Sequence, residues 1–201
     1  YVDMDYVGVD HSAALLAVAQ QRYGHQPSLW QRLRKKALKS PTFVEADLAK
    51  TGLSPQSFDL IWSNLALHWH PNPPQVIQEW RRLLRPDKLL MFSTFGPATL
   101  QELRHALEQA QVTTATMAFV DMHDYGDMLL QNGFSDPVMD QETITLTYKS
   151  AETLLQDVRA MGGNPNPHRH IIGRADYLRV IDALEAQRHM DGTIHLSLEI
   201  A

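Results

Sequence analysis

No cysteine occurs anywhere in the sequence. That excludes disulfides, cysteine-based zinc sites and thiol catalysis together, and it is compatible with a reducing cytoplasm. Long apolar runs are missing as well. None approaches the ~18–20 residues that a bilayer-spanning helix needs, and no signal peptide is legible at the start. The expectation is a soluble, cytoplasmic protein without membrane attachment. Basic charge is outweighed by acid: 18 Lys and Arg stand against 23 Asp and Glu, a net charge of -5. A generally basic nucleic-acid binder is therefore not expected. Internal repeats and low-complexity tracts are absent too. What is present is enough apolar side chain for a core, since 44% of the 201 residues are hydrophobic. That excludes wholesale disorder and fits one ordinary domain, or a core with a small appended layer.

Hydrophobic periodicity then orders the chain. Tyr6-Val7-Gly8-Val9-Asp10 is a short β-rich run ending in an acid. Ser12 can cap a helix carrying Leu15, Leu16, Val18 and Ala19 at helical spacing. Thr42-Phe43-Val44-Glu45-Ala46-Asp47 repeats the pattern of a short strand with an acid at its end, and Phe58-Asp59-Leu60-Ile61-Trp62 is a third strand. Prolines at 71, 73 and 74 lead into a helix with Val76, Ile77, Trp80, Leu83 and Leu84 on one face, which Pro86 should end. The apolar run at 89–95 predicts a strand buried on both faces, and Thr99 should open the next helix. This alternation predicts an α/β fold with a parallel, doubly wound sheet over residues 1–110.

Beyond residue 110 the pattern changes. A helix is predicted over about 121–132, stopped by Gly133. A strictly alternating strand follows at 143–148, then a helix carrying Leu154, Leu155, Val158 and Met161. The turn-rich stretch 162–167 should be mobile, and the alternating run at 193–200 should pair antiparallel at the sheet edge. Residues 111–201 are thus expected to be a C-terminal lid of helices and edge strands packed on the core, the whole forming one structural domain.

Asp10 and Asp47 end two successive predicted strands. Ligands of doubly wound sheets bind beyond those ends, and a carboxylate there can accept both hydroxyl protons of a ribose. One such acid is more often a helix cap; two at matching positions point to a nucleoside site. His68 and His70 form a His-x-His pair, as do His168 and His170. Without cysteine or a nearby carboxylate triad, no metal site is expected from either. Trp62, Trp69 and Trp80 read as core or pocket wall, and no nucleophile elbow appears.

The strings 6–10, Glu45-Ala46-Asp47-Leu48, Phe58-Asp59-Leu60-Ile61-Trp62-Ser63-Asn64 and Leu83-Leu84-Arg85-Pro86-Asp87-Lys88 resemble successive motifs of class I S-adenosylmethionine-dependent methyltransferases. The resemblance implies a Rossmann-like sheet and S-adenosylmethionine as cofactor. It implies that Asp10, beside His11, holds the ribose, Asp47 with Leu48 the adenine, and Ser63 with Asn64 the methionine end. More narrowly, Ser63-Asn64-Leu65-Ala66-Leu67-His68-Trp69, the string from Phe92 to Leu103 and the region from Gly133-Phe134 to Met161-Gly162-Gly163 resemble the malonyl-acyl-carrier-protein O-methyltransferases of biotin synthesis, most specifically in Phe95-Gly96-Pro97-Ala98-Thr99-Leu100-Gln101-Glu102-Leu103. That implies methyl transfer to the free carboxyl of malonyl-acyl carrier protein, or to another small carboxylate, with His68 as the candidate catalytic residue and the enzyme a monomer. The methyltransferase-like assembly factor of respiratory complex I resembles the chain in the same places, and implies a non-catalytic scaffold as the alternative.

The sequence departs from the methyltransferase pattern at its start. The resemblance implies a strand and a Gly-x-Gly turn about twenty residues before Asp10, yet nine residues precede Asp10 and they hold one glycine, Gly8. The expectation is an incomplete chain, with residues 1–5 a displaced fragment. Arg32, Arg34, Lys35, Lys36 and Lys39 form a basic stretch in this net-acidic chain. A solvated helix face is its ordinary explanation; docking of an acidic carrier protein is what the resemblance implies.

Overall fold

Residues 4–24, 41–113, 118–161 and 173–201 are described by the computed structural model. They fall into two units, Tyr1–Ile61 with Asn72–Leu90, and Trp62–Pro71 with Met91–Ala201.

In the first unit β1 (Val7–Asp10) and β2 (Thr42–Glu45) pair in parallel, from Val7 opposite Thr42 to Asp10 opposite Glu45. Gly8 lies opposite Phe43, and a Cβ there would stand 2.8 Å from the Phe43 ring. Helix α1 (Ala13–Tyr23) starts where the Ser12 hydroxyl accepts the Leu15 N–H, the cap expected from the sequence. It buries none of its residues. Helix α2 (Pro73–Leu83) is capped by Asn72 and buries Val76, Ile77, Trp80 and Leu83.

Two expectations fail at the end of α2. Pro86 does not terminate the helix, because Leu84 is already extended at φ -73° and ψ 137°. The expected turn at 85–88 is instead part of β4 (Leu84–Ser93), with Asp87 kinking it at φ 57°. Proline favours an extended residue before it, so Arg85 continues the strand. The strand is also not buried on both faces. Leu89 and Met91 are exposed, and so are Leu60 and Trp62 on β3 (Phe58–Asn64), Trp62 by 75%. The apolar run anticipated cover on both sides, but β3 and β4 form a two-stranded sheet of their own among the described residues. Trp62 is accordingly neither core nor pocket wall.

One buried charge organises the first unit. The Glu79 carboxylate on α2 accepts the Thr51 N–H and hydroxyl at 3.0 and 2.5 Å, and Arg82 adds Nε and Nη2 contacts at 2.7 Å. The Arg82 guanidinium beside it holds the Glu79 carboxyl down at about 2. Arg82 also donates to the Leu53 carbonyl, so the 51–53 segment is fastened to α2 by hydrogen bonds that are fully satisfied.

In the second unit β5 (Glu142–Tyr148) and β6 (Ile194–Ile200) pair antiparallel along their whole length, as the alternation of 193–200 led one to expect. Helices α3 (Gln101–Gln109), α4 (Met122–Gln131) and α5 (Ala151–Ala160) match the periodicity. Helix α6 (Arg174–Glu185) was not anticipated, although Tyr177, Val180, Ile181 and Leu184 carry helical spacing. Leu107, Leu154, Val180, Leu184, Ile194 and Leu196 form its core. Since α3 packs on α6 and β6, residue 110 falls inside this unit rather than at a boundary.

The string 95–103 is the fastening of β6. Thr94 and Ala201 exchange backbone hydrogen bonds of 2.8 and 3.0 Å, and the Gly96 N–H donates to the Glu199 carbonyl at 2.9 Å. The buried Glu199 carboxylate accepts the Ala98 N–H at 2.6 Å. Thr99 does not open the helix; its buried hydroxyl donates to the Glu199 carbonyl and accepts the Glu199 N–H, both at 3.0 Å. Glu102 closes the set by accepting the Ser197 N–H and hydroxyl at 2.8 and 2.5 Å. Gly96 is a spatial requirement, because a Cβ there would lie 2.4 Å from Glu199 Oε1.

Gly96→Ala should therefore cost about 1–3 kcal/mol of stability, the range for forcing an extra methyl into a packed site. Gly126→Ala, inside α4 with its nearest neighbour at an ordinary 3.8 Å, should instead stabilise by up to about 1 kcal/mol. Urea denaturation of the two variants checks the opposite signs.

Candidate active site

The candidate residues lie in two groups, one in each unit. In the first, β1 delivers Asp10 to its C-terminal end, where Oδ1 accepts the Ser12 N–H at 2.8 Å. Its side chain remains 36% exposed, and His11 beside it is 86% exposed with Nδ1 at 3.6 Å from Asp10 Oδ1. Asp47 lies two residues past β2, and its Oδ1 accepts the Ala49 N–H at 2.7 Å, closing a tight turn that half-buries Leu48. Because β1 and β2 are parallel neighbours, both acids stand at the same end of one ladder. Each also serves the local turn, as the capping explanation expects.

In the second unit β3 ends at Ser63 and Asn64. The Ser63 hydroxyl is buried with no hydrogen-bond partner among the described residues. Asn64 Oδ1 accepts the Ser93 hydroxyl at 2.6 Å, which leaves its amide N–H groups as the donor end. Leu65 follows in the left-handed region at φ 49°, its N–H held by Ser93. A non-glycine residue there is strained, and the strain is stored where the strand gives way to the site.

His68 sits in a 3-10 turn (Leu67–Trp69) three residues later. Its Nδ1 accepts the Phe95 N–H at 3.4 Å. Its ring lies 4.5 Å from Phe95, 5.1 Å from Trp69 and 5.8 Å from Phe119, centroid to centroid. Burial in this aromatic surrounding pushes the His68 imidazole down to about 4, so it is neutral at physiological pH. Its Nε2 is buried with no hydrogen-bond partner among the described residues. The fastening of β6 explains this geometry. Thr94 and Gly96 turn their N–H groups to β6, so Phe95, between them, presents its own to His68.

Phe119 is the residue the sequence did not disclose. It belongs to no periodic element, and only the tertiary fold brings it 51 positions along the chain to His68. Among the described residues no group of histidines and acids could hold a metal. The basic stretch at 32–39, the pair His168 and His170, and the 162–167 turn lie outside the described residues.

The comparisons with known proteins agree with one another. The methyltransferase-domain family matches residues 1–92. Malonyl-acyl-carrier-protein O-methyltransferase of Gallionella capsiferriformans is 36% identical over 203 aligned residues, covering 100% of this chain and 68% of that protein. Its counterpart from Laribacter hongkongensis is 40% identical, over 84% of this chain and 58% of that protein. The chain thus spans roughly three-fifths to two-thirds of the length of these relatives. In solved structures, the YcgJ protein from Bacillus subtilis superposes with a TM-score of 0.63 at 13% identity, covering 98% of this chain and 79% of that one. An arsenic(III) S-adenosylmethionine methyltransferase from Chlamydomonas reinhardtii gives 0.53 at 19% identity, covering 98% and 54%. The expected Rossmann-like α/β methyltransferase fold is the one these structures share.

A buried neutral histidine makes stability depend on pH. The unfolded chain takes up a proton near 6.5 and the folded chain near 4, so stability falls as pH drops through that window. Phe119→Ala should open the surrounding to water and move His68 back toward 6.5. Histidine resonances followed in a pH titration by NMR check this.

Proposed function

Because the chain belongs to the malonyl-acyl-carrier-protein O-methyltransferase family, we propose that the whole protein transfers a methyl group from S-adenosylmethionine to a carboxylate oxygen. The acceptor in this reading is the free carboxyl of a malonyl thioester on acyl carrier protein, a step of biotin synthesis in the cytoplasm. No helix among the described residues is long and apolar enough to cross a membrane, and the chain has no cysteine. The observation that carries the reading is the pair of acids at the same end of adjacent parallel strands, in a chain 36% identical over its full length to a named relative.

The residues present suit the cofactor. Asp10 offers a carboxylate already oriented by Ser12, and Ser63 offers a buried hydroxyl with no partner among the described residues. When bound, S-adenosylmethionine supplies an electrophilic methyl group on a sulfonium sulfur. In the first unit Asp10 would accept the ribose hydroxyls with His11 flanking it, while Asp47 and Leu48 would meet the adenine. In the second, the Ser63 hydroxyl and the Asn64 amide would serve the polar methionine end. No general base is required, because a carboxylate is ionised at neutral pH. The work left to the protein is alignment and exclusion of water.

Asp10→Ala should weaken S-adenosylmethionine binding by about 1.5–3 kcal/mol, the range for a lost hydrogen bond to a charged acceptor. Asp47→Ala should have a smaller effect. Calorimetric titration of folded variants tests both, and unchanged affinity in Asp10→Ala would count against the assignment. Methyl transfer to a malonyl thioester, followed by product mass, tests the reaction itself.

A further inference from the structure

We infer that His68 is a neutral hydrogen-bond donor that grips the acceptor's carboxylate through Nε2–H and fixes its orientation without exchanging a proton. The inference rests on the carboxylate reading above and deepens it to one residue. Three observations carry it. First, the Phe95 N–H occupies Nδ1, so the ring proton belongs on Nε2. That partner is itself held in place, because the residues on either side of it are bonded to β6. The tautomer is therefore set by backbone that cannot readily turn.

Second, Nε2 is buried and has no hydrogen-bond partner among the described residues. A buried donor is normally satisfied, so an unmet one marks a place where a ligand atom completes the set. Third, the aromatic rings packed on the imidazole among the described residues are Trp69, Phe95 and Phe119. None carries charge, and burial is the one cause of its lowered proton affinity.

The chemistry follows from these facts. The ligand must offer an acceptor atom, since Nε2–H can donate but not accept. A carboxylate qualifies, whereas an ammonium group does not. A charged imidazolium would bind the carboxylate more tightly, but would draw electron density from the oxygen that must attack and could protonate it. A neutral donor avoids both effects. It holds one oxygen and leaves the other as nucleophile. The aromatic surrounding is thus what keeps a histidine, of all residues, usable at this position.

Two measurements on the full chain decide the matter. Long-range proton–nitrogen NMR should show His68 as the Nε2–H tautomer between pH 8 and 5, with its Nε2 signals shifting when a malonyl thioester of a short alkyl thiol is added. The methyl ester of the same probe, which lacks the carboxylate, should leave them in place. In kinetics with that thioester, His68→Leu should raise KM at least tenfold, while His68→Gln, which retains a neutral N–H donor, recovers most of the loss. Leucine suits an aromatic surrounding, so a histidine that only packs would lose nothing by this change; melting temperatures confirm that both variants fold. An Nδ1–H tautomer, an imidazolium above pH 6, an equal response to acid and ester, or an unchanged KM in His68→Leu would each overturn the inference. Should the wild type transfer no methyl group to any carboxylate, the reaction reading fails, and the tautomer and the acid-against-ester shift still decide the role of His68.

Discussion

The hold of Glu199 on the segment that follows β4 is the constraint on which the second unit depends. It joins residues about a hundred positions apart. A buried carboxylate is costly unless its oxygens are met, and here the Ala98 N–H meets one while Gly96 leaves room for the other. The Thr99 hydroxyl then satisfies both backbone groups of Glu199. With β6 anchored in this way, β5 can pair along it for seven residues and α3 can pack on α6. The most distinctive string in the sequence is therefore a fastening, and its residues contribute to the site indirectly.

That indirect contribution runs through Phe95. Backbone N–H groups alternate along an extended segment, so bonding Thr94 and Gly96 to β6 leaves the N–H between them facing His68. The same residue supplies part of the aromatic surrounding. One short segment thus fixes the tautomer of His68 and desolvates it at once. Neither effect needs a charged partner, which is why the imidazole stays neutral rather than forming an ion pair.

The first unit works differently. Its strand-end acids, Asp10 half-buried and Asp47 exposed, are met locally, Asp10 by the Ser12 N–H and Asp47 by the Ala49 N–H. Its buried charge, Glu79, ties the 51–53 segment to α2. Asp10 and Asp47 keep exposed surface toward solvent, whereas Glu79 uses its oxygens on Thr51 and Arg82.

Local patterns were enough to find most of the elements. The Ser12 cap, the proline-led start of α2, the alternation of β5 and β6, and the two acids at the ends of β1 and β2 all follow from side-chain chemistry within a few residues. Family resemblance named the same acids, and Ser63, Asn64 and His68 with them. What the sequence could not settle was whatever depends on a partner distant along the chain. An apolar run at 89–95 says that burial would be favourable, not that a neighbouring strand covers it, and Leu89 and Met91 lie exposed. Arg85-Pro86 resembles a helix stop, yet proline equally suits the extended chain that β4 adopts. The spacing of α6 was present but weak until Leu184 and Val180 met α3. His68 shows the difference most clearly. Its residue type and place after β3 were legible, but its charge state was decided by Phe95 and Phe119, because desolvation is a property of surroundings that only the folded chain assembles.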